Sequence, residues 1–159
     1  MEEISITKGD ISNLAEIQKL NQLLFIKEQK EYDQKYDTNW PFSEAGIRYY
    51  TKELTSKDRV IFIARDNKGK AIGYLAASSK NPSGYINNMK VAELDNTLIL
   101  DEYRSKGIGS RLVNELKKWA KEIDAQRITV LASYENKKGI NFYKKQGFKE
   151  KSLELIIDL

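Results

Sequence analysis

Apolar positions along this chain change period several times, and each change marks an element. Ile4-Ser5-Ile6-Thr7 alternates as a short strand. After Gly9-Asp10, the residues Leu14, Ile17, Leu20 and Leu24 recur at helical spacing and predict one buried face. Residues 27–37 are highly charged, with Tyr32 and Tyr36 among them. Trp40-Pro41-Phe42-Ser43 then leads into a second helix, capped by Ser43 and running to about Leu54. Val60-Ile61-Phe62-Ile63-Ala64 makes residues 59–66 an apolar strand, Asn67-Lys68-Gly69-Lys70 a turn and residues 71–78 its hairpin partner. A polar loop over 79–84 with Pro82 precedes a long extended stretch, 85–100, so three consecutive strands form an antiparallel meander.

The second half is equally periodic. Leu112, Val113, Leu116, Trp119, Ala120 and Ile123 define an amphipathic helix whose other face carries Arg111, Glu115, Lys117, Lys118, Lys121 and Glu122. Residues 127–132 read as a buried strand and 137–146 as a helix stopped by Gly147. Residues 151–159 read as a last strand in which Leu153, Leu155 and Ile157 alternate. The order strand, two helices, three strands, helix, strand, helix, strand predicts an α/β chain of the α+β mixed kind: a mostly antiparallel mixed sheet with helices packed on it. No linker, repeat or low-complexity segment interrupts it, and its 159 residues are expected to form a single domain, 1–159.

Composition narrows the chemistry. The chain has neither cysteine nor histidine, which removes disulfides, thiolate or imidazole zinc sites, cysteine nucleophiles and every Ser-His-Asp arrangement. Acid–base work falls to Asp, Glu, Lys, Tyr, a terminus or water, and no metal site is expected. A net charge of +4, with lysines interleaved among acids, does not indicate nucleic acid. No apolar run approaches the roughly 18 residues of a membrane span. Met1-Glu2-Glu3 lacks the basic start of a signal peptide. The expectation is a soluble, cytoplasmic protein with no membrane partner.

Leu98-Ile99-Leu100-Asp101-Glu102-Tyr103-Arg104-Ser105-Lys106-Gly107-Ile108-Gly109-Ser110-Arg111 reads as a strand turning through two glycines into a helix. Such a junction lets backbone approach a ligand and presents free N–H groups with partial positive charge, both suited to an anion. Arg104 and Lys106 add full charges. A plain strand-to-helix connection would need no more than this. The NTPase loop GxxxxGK[ST] is not matched, because Gly107-Ile108-Gly109-Ser110 lacks the lysine and serine pair. The dinucleotide pattern GxGxxG fails because Leu112 replaces its third glycine and Arg127 stands where an acid belongs. What is matched is R-x-x-G-x-G, as Arg104-Ser105-Lys106-Gly107-Ile108-Gly109.

That motif, followed by Asn136-Lys137-Lys138-Gly139-Ile140-Asn141-Phe142-Tyr143-Lys144-Lys145-Gln146-Gly147-Phe148, resembles the GNAT superfamily of N-acetyltransferases, the likeness running from about Arg59 onward. The resemblance implies acetyl-coenzyme A as co-substrate, its pyrophosphate held by Arg104, Ser105, Lys106, Gly107, Ile108, Gly109 and Ser110. It implies a pantetheine arm between splayed parallel strands, Leu98, Ile99 and Leu100 on one side and 128–132 on the other. It further implies coenzyme contacts at Asn136 and Phe142, and Tyr143 as general acid for the departing thiolate. Gly139 departs from the usual alanine, which weakens that helix by about 0.5–1 kcal/mol and is expected to leave room for the coenzyme.

Acetyl transfer to an amine also has requirements of its own. The amine must be neutral, which for an alkyl amine at pH 7 costs roughly 3.4 pK units or about 4.6 kcal/mol, so a carboxylate is useful. Glu93 and Asp95, two apart on an extended stretch, face the same way. Asp95 is the favoured base and Glu93 the alternate, against the reading that both are solvated edge acids or that a bulge re-aims one. An oxyanion would be met by a backbone N–H near Ile99. The ring of Tyr143, and the aromatics Tyr32, Tyr36, Trp40, Phe42, Tyr49 and Tyr50, also have an ordinary packing role open to them. The function expected is acetylation of a primary amine on a small molecule or protein by direct attack, with a homodimer compatible. The competing class is an acyl-coenzyme A-binding regulatory module without turnover.

Overall fold

Alternation of apolar residues on both faces of the strands produces a sheet covered by helices on each side. The computed structural model describes residues 3–82, 86 and 88–159, so Ser83, Gly84, Tyr85 and Asn87 of the expected loop and extended stretch lie outside the described residues. Strand β1 (Ser5–Lys8) is followed by helices α1 (Leu14–Glu31) and α2 (Glu44–Thr55), then by strands β2 (Arg59–Arg65), β3 (Ala71–Lys80) and β4 (Val91–Ile99). Helix α3 (Ile108–Glu122), strand β5 (Arg127–Val130) and helix α4 (Lys137–Lys145) complete the regular elements. The sheet runs β1-β2-β3-β4-β5. Its first four strands are antiparallel, and β5 lies parallel to β4, as a helical crossover requires.

The two faces bury separate cores. Val60, Phe62 and Ala64 of β2 join Leu75, Ala77, Ala92 and Leu94 beneath Leu112, Val113, Leu116 and Trp119 of α3. Ile61 and Ile63 join Tyr74, Ala76 and Leu98 beneath Ile17 and Leu20 of α1 and Tyr50 of α2. Leu94 and Leu98 are four apart yet lie on opposite faces, because the β3–β4 register shifts between Ala76↔Asn96 and Ala77↔Leu94. Asp95 is the inserted residue, a bulge that reverses the side-chain parity of β4.

Local sequence explains the helix starts. Ser43 Oγ accepts the Gly46 N–H at 3.1 Å to cap α2, as predicted. Asp10 and Asn13 close a reciprocal box before α1. The aromatics between and on these helices pack in a continuous row: Phe25 lies 5.1 Å from Tyr36 and 5.9 Å from Trp40, and Trp40 lies 5.5 Å from Tyr49. Packing is therefore the role that these rings visibly fill.

The predicted strand over 151–159 does not join the sheet. The segment has no ladder partner among the described residues, and Leu153, Leu155 and Ile157 are 65%, 84% and 83% exposed. Alternation marks a chain able to pair, and pairing also needs an edge in register.

Gly73 of β3 sits under the end of β4, where an added Cβ would lie 2.7 Å from the Leu98 carbonyl oxygen. Gly73→Ala must displace backbone, so it should lower stability by about 1–3 kcal/mol in urea titration.

Candidate active site

β4 and β5 pair only from Val91↔Arg127 to Leu94↔Val130, while β4 continues to Ile99 with β3 beside it and without β5. The sheet therefore opens like a fork at Asp95. Expectation had placed the opening between 98–100 and 128–132, but Ile128 and Val130 remain inside the ladder and the gap begins beyond them. Leu98 is buried against α1 and α2, Ile99 packs on the α3 side, and Leu100 touches both cores.

At the end of β4, Leu100 N–H still bonds the Ile72 carbonyl at 2.9 Å, and a turn of 3-10 helix, Asp101–Tyr103, follows. Arg104 folds back: its Nε donates to the Ile99 carbonyl at 2.9 Å and its guanidinium meets Asp101 Oδ1 at 2.6 Å. Its first role is thus to brace the turn, and Asp101 offsets part of its charge. Ser105 and Gly107 take positive φ, 61° and 77°, which swings the chain into α3. Lys106 Nζ stands 5.1 Å above the Tyr103 ring. The first helical bond runs from Arg111 N–H to the Gly107 carbonyl, so the amides of Ile108, Gly109 and Ser110 have no intrahelical acceptor. Together these groups form a concave donor set suited to an anion.

The two glycines do different jobs. A Cβ on Gly107 would meet nothing within 4 Å, in a left-handed conformation that side chains resist, whereas a Cβ on Gly109 would stand 3.0 Å from the Phe142 ring. Gly107 leaves space open; Gly109 lets α4 close against α3. Ser110 Oγ accepts from Gln146 Nε2 at 2.9 Å across the same contact.

Asn136 begins α4, and its Oδ1 accepts the Gly139 N–H at 2.9 Å. An added Cβ on Gly139 would lie 2.6 Å from Asn136 Nδ2, so the room left by this glycine is filled by the asparagine cap rather than kept for a coenzyme. Phe142, Tyr143 and Phe148 stack edge to face, with centroids 5.3 and 5.6 Å apart. Burial raises the Tyr143 phenol to about 12, and the charge of Glu28 on α1 adds to it. Tyr143 therefore keeps its proton throughout the neutral range.

Glu93 and Asp95 face the α1 and α2 side and converge on one cation. Lys80 Nζ is ion-paired with Glu93 and lies 3.5 Å from Asp95 Oδ1. The Asp95 side chain is only 10% exposed, and its Oδ2 has no hydrogen-bond partner among the described residues, nor has the buried Oδ1 of Asn96 beside it. Burial raises the Asp95 carboxyl, with Ser78 and Lys80 opposing. Nearby, Glu53 is buried in an ion pair with Arg59, and desolvation lifts it to about 7.

Sequence reasoning overlooked Glu28, Glu53, Arg59 and Lys80. Glu28 was within reach: the spacing Ile17, Leu20, Leu24 continues to it, and α1 runs to Glu31. Arg59 opens β2 and Lys80 closes β3, with no motif around either. Among the described residues no cluster of acids resembles a metal site, and no helix is long and apolar enough to cross a membrane.

The structure thus has a mixed sheet that forks after Leu94 and a turn rich in backbone donors at the end of its fourth strand. The chain belongs to the acetyltransferase (GNAT) family, whose model matches residues 16–148. The match begins well before Arg59 and so takes in α1. An uncharacterized N-acetyltransferase of Methanocaldococcus jannaschii is 28% identical over 149 residues, covering 94% of this chain, which spans only 61% of that relative's length. In fold, the chain is similar to a tetramutant protein of Bacillus halodurans (TM-score 0.85, 14% identity, 98% of this chain and 99% of that one). It is also similar to an aminoglycoside N-acetyltransferase solved with CoA (TM-score 0.77, 17% identity, 100% and 96%).

Two outcomes test the site. Gly109→Ala should lower the thermal midpoint through its contact with Phe142, and pairing it with Phe142→Leu should recover part of the loss. Glu53 moves from an ordinary 4.5 to about 7, so the folded chain binds more protons than the unfolded one across that window. Stability should then fall as pH rises from about 5 to 7.5, by at most about 3 kcal/mol. Denaturant midpoints of the wild type and Glu53→Gln would show it, the variant having the shallower slope.

Proposed function

We propose that the chain transfers an acetyl group from acetyl-coenzyme A to a primary amine by direct attack, without a covalent enzyme intermediate. The observation that carries this reading is the opening of the sheet at Asp95, followed beyond the end of β4 by the turn at Gly107. A diphosphate fits the turn, because open space at Gly107 adjoins the amides of Ile108, Gly109 and Ser110. Leu98, Ile99 and Leu100 border the opening on the β4 side, where an extended arm can lie, and a backbone N–H near Ile99 would meet the developing oxyanion. Arg104, Ser105 and Lys106 complete the anion end, while Asn136 and Phe142 flank the other wall.

The amine approaches from the α1 and α2 side. Asp95 Oδ2 lacks a donor, which an incoming ammonium group would supply. A carboxyl raised by burial is a better base than an exposed one, and Asp95 is more enclosed than Glu93, which Lys80 already holds. Glu93 remains the alternate relay. With Glu28 across the opening, these acids favour a cationic acceptor, and the amine chemistry of the aminoglycoside N-acetyltransferase points to a small-molecule one.

Tyr143 serves the departing thiolate. Between a phenol at about 12 and a thiol near 8.5, full proton transfer is uphill by roughly 3.5 pK units, about 4.8 kcal/mol. The phenol thus stabilises the thiolate chiefly as a hydrogen-bond donor. Tyr143→Phe should lower turnover by about 10²-fold, the low end for a positioned acid, with coenzyme binding retained in calorimetry. Full activity of this variant would remove Tyr143 from the mechanism. Binding without turnover across an amine panel in the wild type would favour a regulatory module. Asp95→Ala should lose most activity at pH 6–7 and less near pH 9, where more amine is already neutral. A uniform loss there, with Glu93→Ala showing the stronger pH dependence, would move the base to Glu93.

A further inference from the structure

Direct acetyl transfer from a thioester to an ammonium group yields an amide, a thiol and one proton, so each turnover sends one proton from the acceptor side to water. Asp95 is poorly placed to release it directly. Its side chain is only 10% exposed, and an ammonium group seated on Oδ2 would cover it further. Lys80 is a cation with no room for another proton, and Glu93 is ion-paired to it. A further acid stands near this group on α2: Glu53, whose side chain is 0% exposed.

A polar strip joins the two acids. Arg59 pairs with Ser78 across β2 and β3, and Ser78 with Glu93 across β3 and β4, so these three side chains form one row on a single face of the sheet. Glu53 meets the Arg59 end of the row in an ion pair, and Lys80 joins Glu93 and Asp95 at the other end. Four buried atoms of the strip lack a partner among the described residues: Glu53 Oε2, Arg59 Nε, Ser78 Oγ and Asp95 Oδ2. Buried polar groups are nearly always paired, and an ion pair kept for stability alone would satisfy its own atoms. Burial and the charges of Glu53 and Asp95 raise the Tyr49 phenol, one helical turn before Glu53, so one hydroxyl feels both acids. Glu53 and Arg59 also line a cavity of about 160 Å³, with Gly9, Ser56 and the exposed Lys8 and Lys57 around it.

We propose that the proton taken from the acceptor leaves through Glu53, which receives it from Asp95 and releases it to water in the cavity beside Lys8 and Lys57. This rests on Asp95 as the base. An ammonium N–H bond breaks to protonate the Asp95 carboxylate. The freed lone pair attacks the thioester carbon, the C–N bond forms, the C–S bond breaks, and the second amine proton ends on sulfur. Asp95 then passes its proton to Glu53 by way of the Ser78 or Tyr49 hydroxyl, which takes up one proton as it gives up another. Glu53 suits the step: burial lifts it to about 7 against the pull of Arg59, with the charges of Asp95 and Asp58 adding to the rise, so both its forms are populated at neutral pH. The other described titratable groups that face it are Tyr49 and Tyr50 on its own helix and Lys8 and Lys57 at the cavity. Those acting on Asp95 are Lys80 and Glu93, beside the Ser78 hydroxyl.

Carbon-13 NMR of the Asp and Glu carboxyl groups follows both acids in the full chain without any acceptor. The wild-type Asp95 signal should show a second inflection near 7, where Glu53 titrates, and Glu53→Gln should remove it. The wild-type titration stands even where that substitution impairs folding. With acetyl-coenzyme A and the best acceptor of an amine panel, Glu53→Gln should lower kcat at pH 7 by about tenfold, less than a group acting on the substrate itself, and leave KM within about twofold. Glu53→Asp, which keeps a carboxyl on the strip, should recover most of the loss. An Asp95 signal with no inflection near 7, or wild-type kcat in Glu53→Gln beside an impaired Asp95→Ala, would overturn the route and leave the base in place. Full activity of Asp95→Ala would instead overturn the base, and the route with it.

Discussion

Between Leu94 and Asn96, β4 carries one residue more than the strand it pairs with, and much of the active-site geometry follows from that insertion. Up to Leu94 the strand is an ordinary member of the sheet, its apolar side chains packed beneath α3. From Asp95 on, its parity is reversed and β5 no longer follows it. A regular strand could not bury Leu94 under α3 and Leu98 under α1 while keeping hydrogen bonds to β3 along most of its length. The bulge achieves this, and it leaves a carboxylate at the point where the sheet opens.

In the turn after β4 the cationic side chains already have partners within the chain. Arg104 is committed to the Ile99 carbonyl and Asp101, and Lys106 lies over Tyr103. What the turn offers an incoming ligand is mostly backbone: amides aligned by two left-handed residues and open space at Gly107. The arginine of the motif fixes the shape that the amides then use.

The periodic helices and the hairpin were legible because burial demands their spacing, and their boundaries shift by only a few residues. Ser43, Gly147 and the Asn67–Lys70 turn were legible because few other residues satisfy those backbone conformations. The fork was only half legible: Glu93 and Asp95 do share a lysine, but no local pattern announces where β5 parts from β4. The segment 151–159 has the alternation of a strand yet pairs with none of the described residues, which local pattern cannot reveal. Gly139 was read as space for a ligand and proves to be space for the Asn136 cap, since only coordinates distinguish one neighbour from another. Arg59 and Lys80 reach the site through tertiary packing, and nothing in their immediate sequence marks them, whereas the helical spacing of α1 leads to Glu28.

The two cores each contain one of the chain's two tryptophans. Trp119 is 5% exposed beneath the α3 face, and Trp40 packs into the aromatic row between α1 and α2. Each layer of the sheet therefore carries its own fluorophore. Emission from Trp40 reports on the α1 and α2 side of the sheet, while emission from Trp119 reports on α3, the helix that follows the glycine turn. Replacing either indole by phenylalanine would leave a single indole, excited selectively beyond the tyrosine band, so that loosening of one layer can be timed separately from the other without attaching a label.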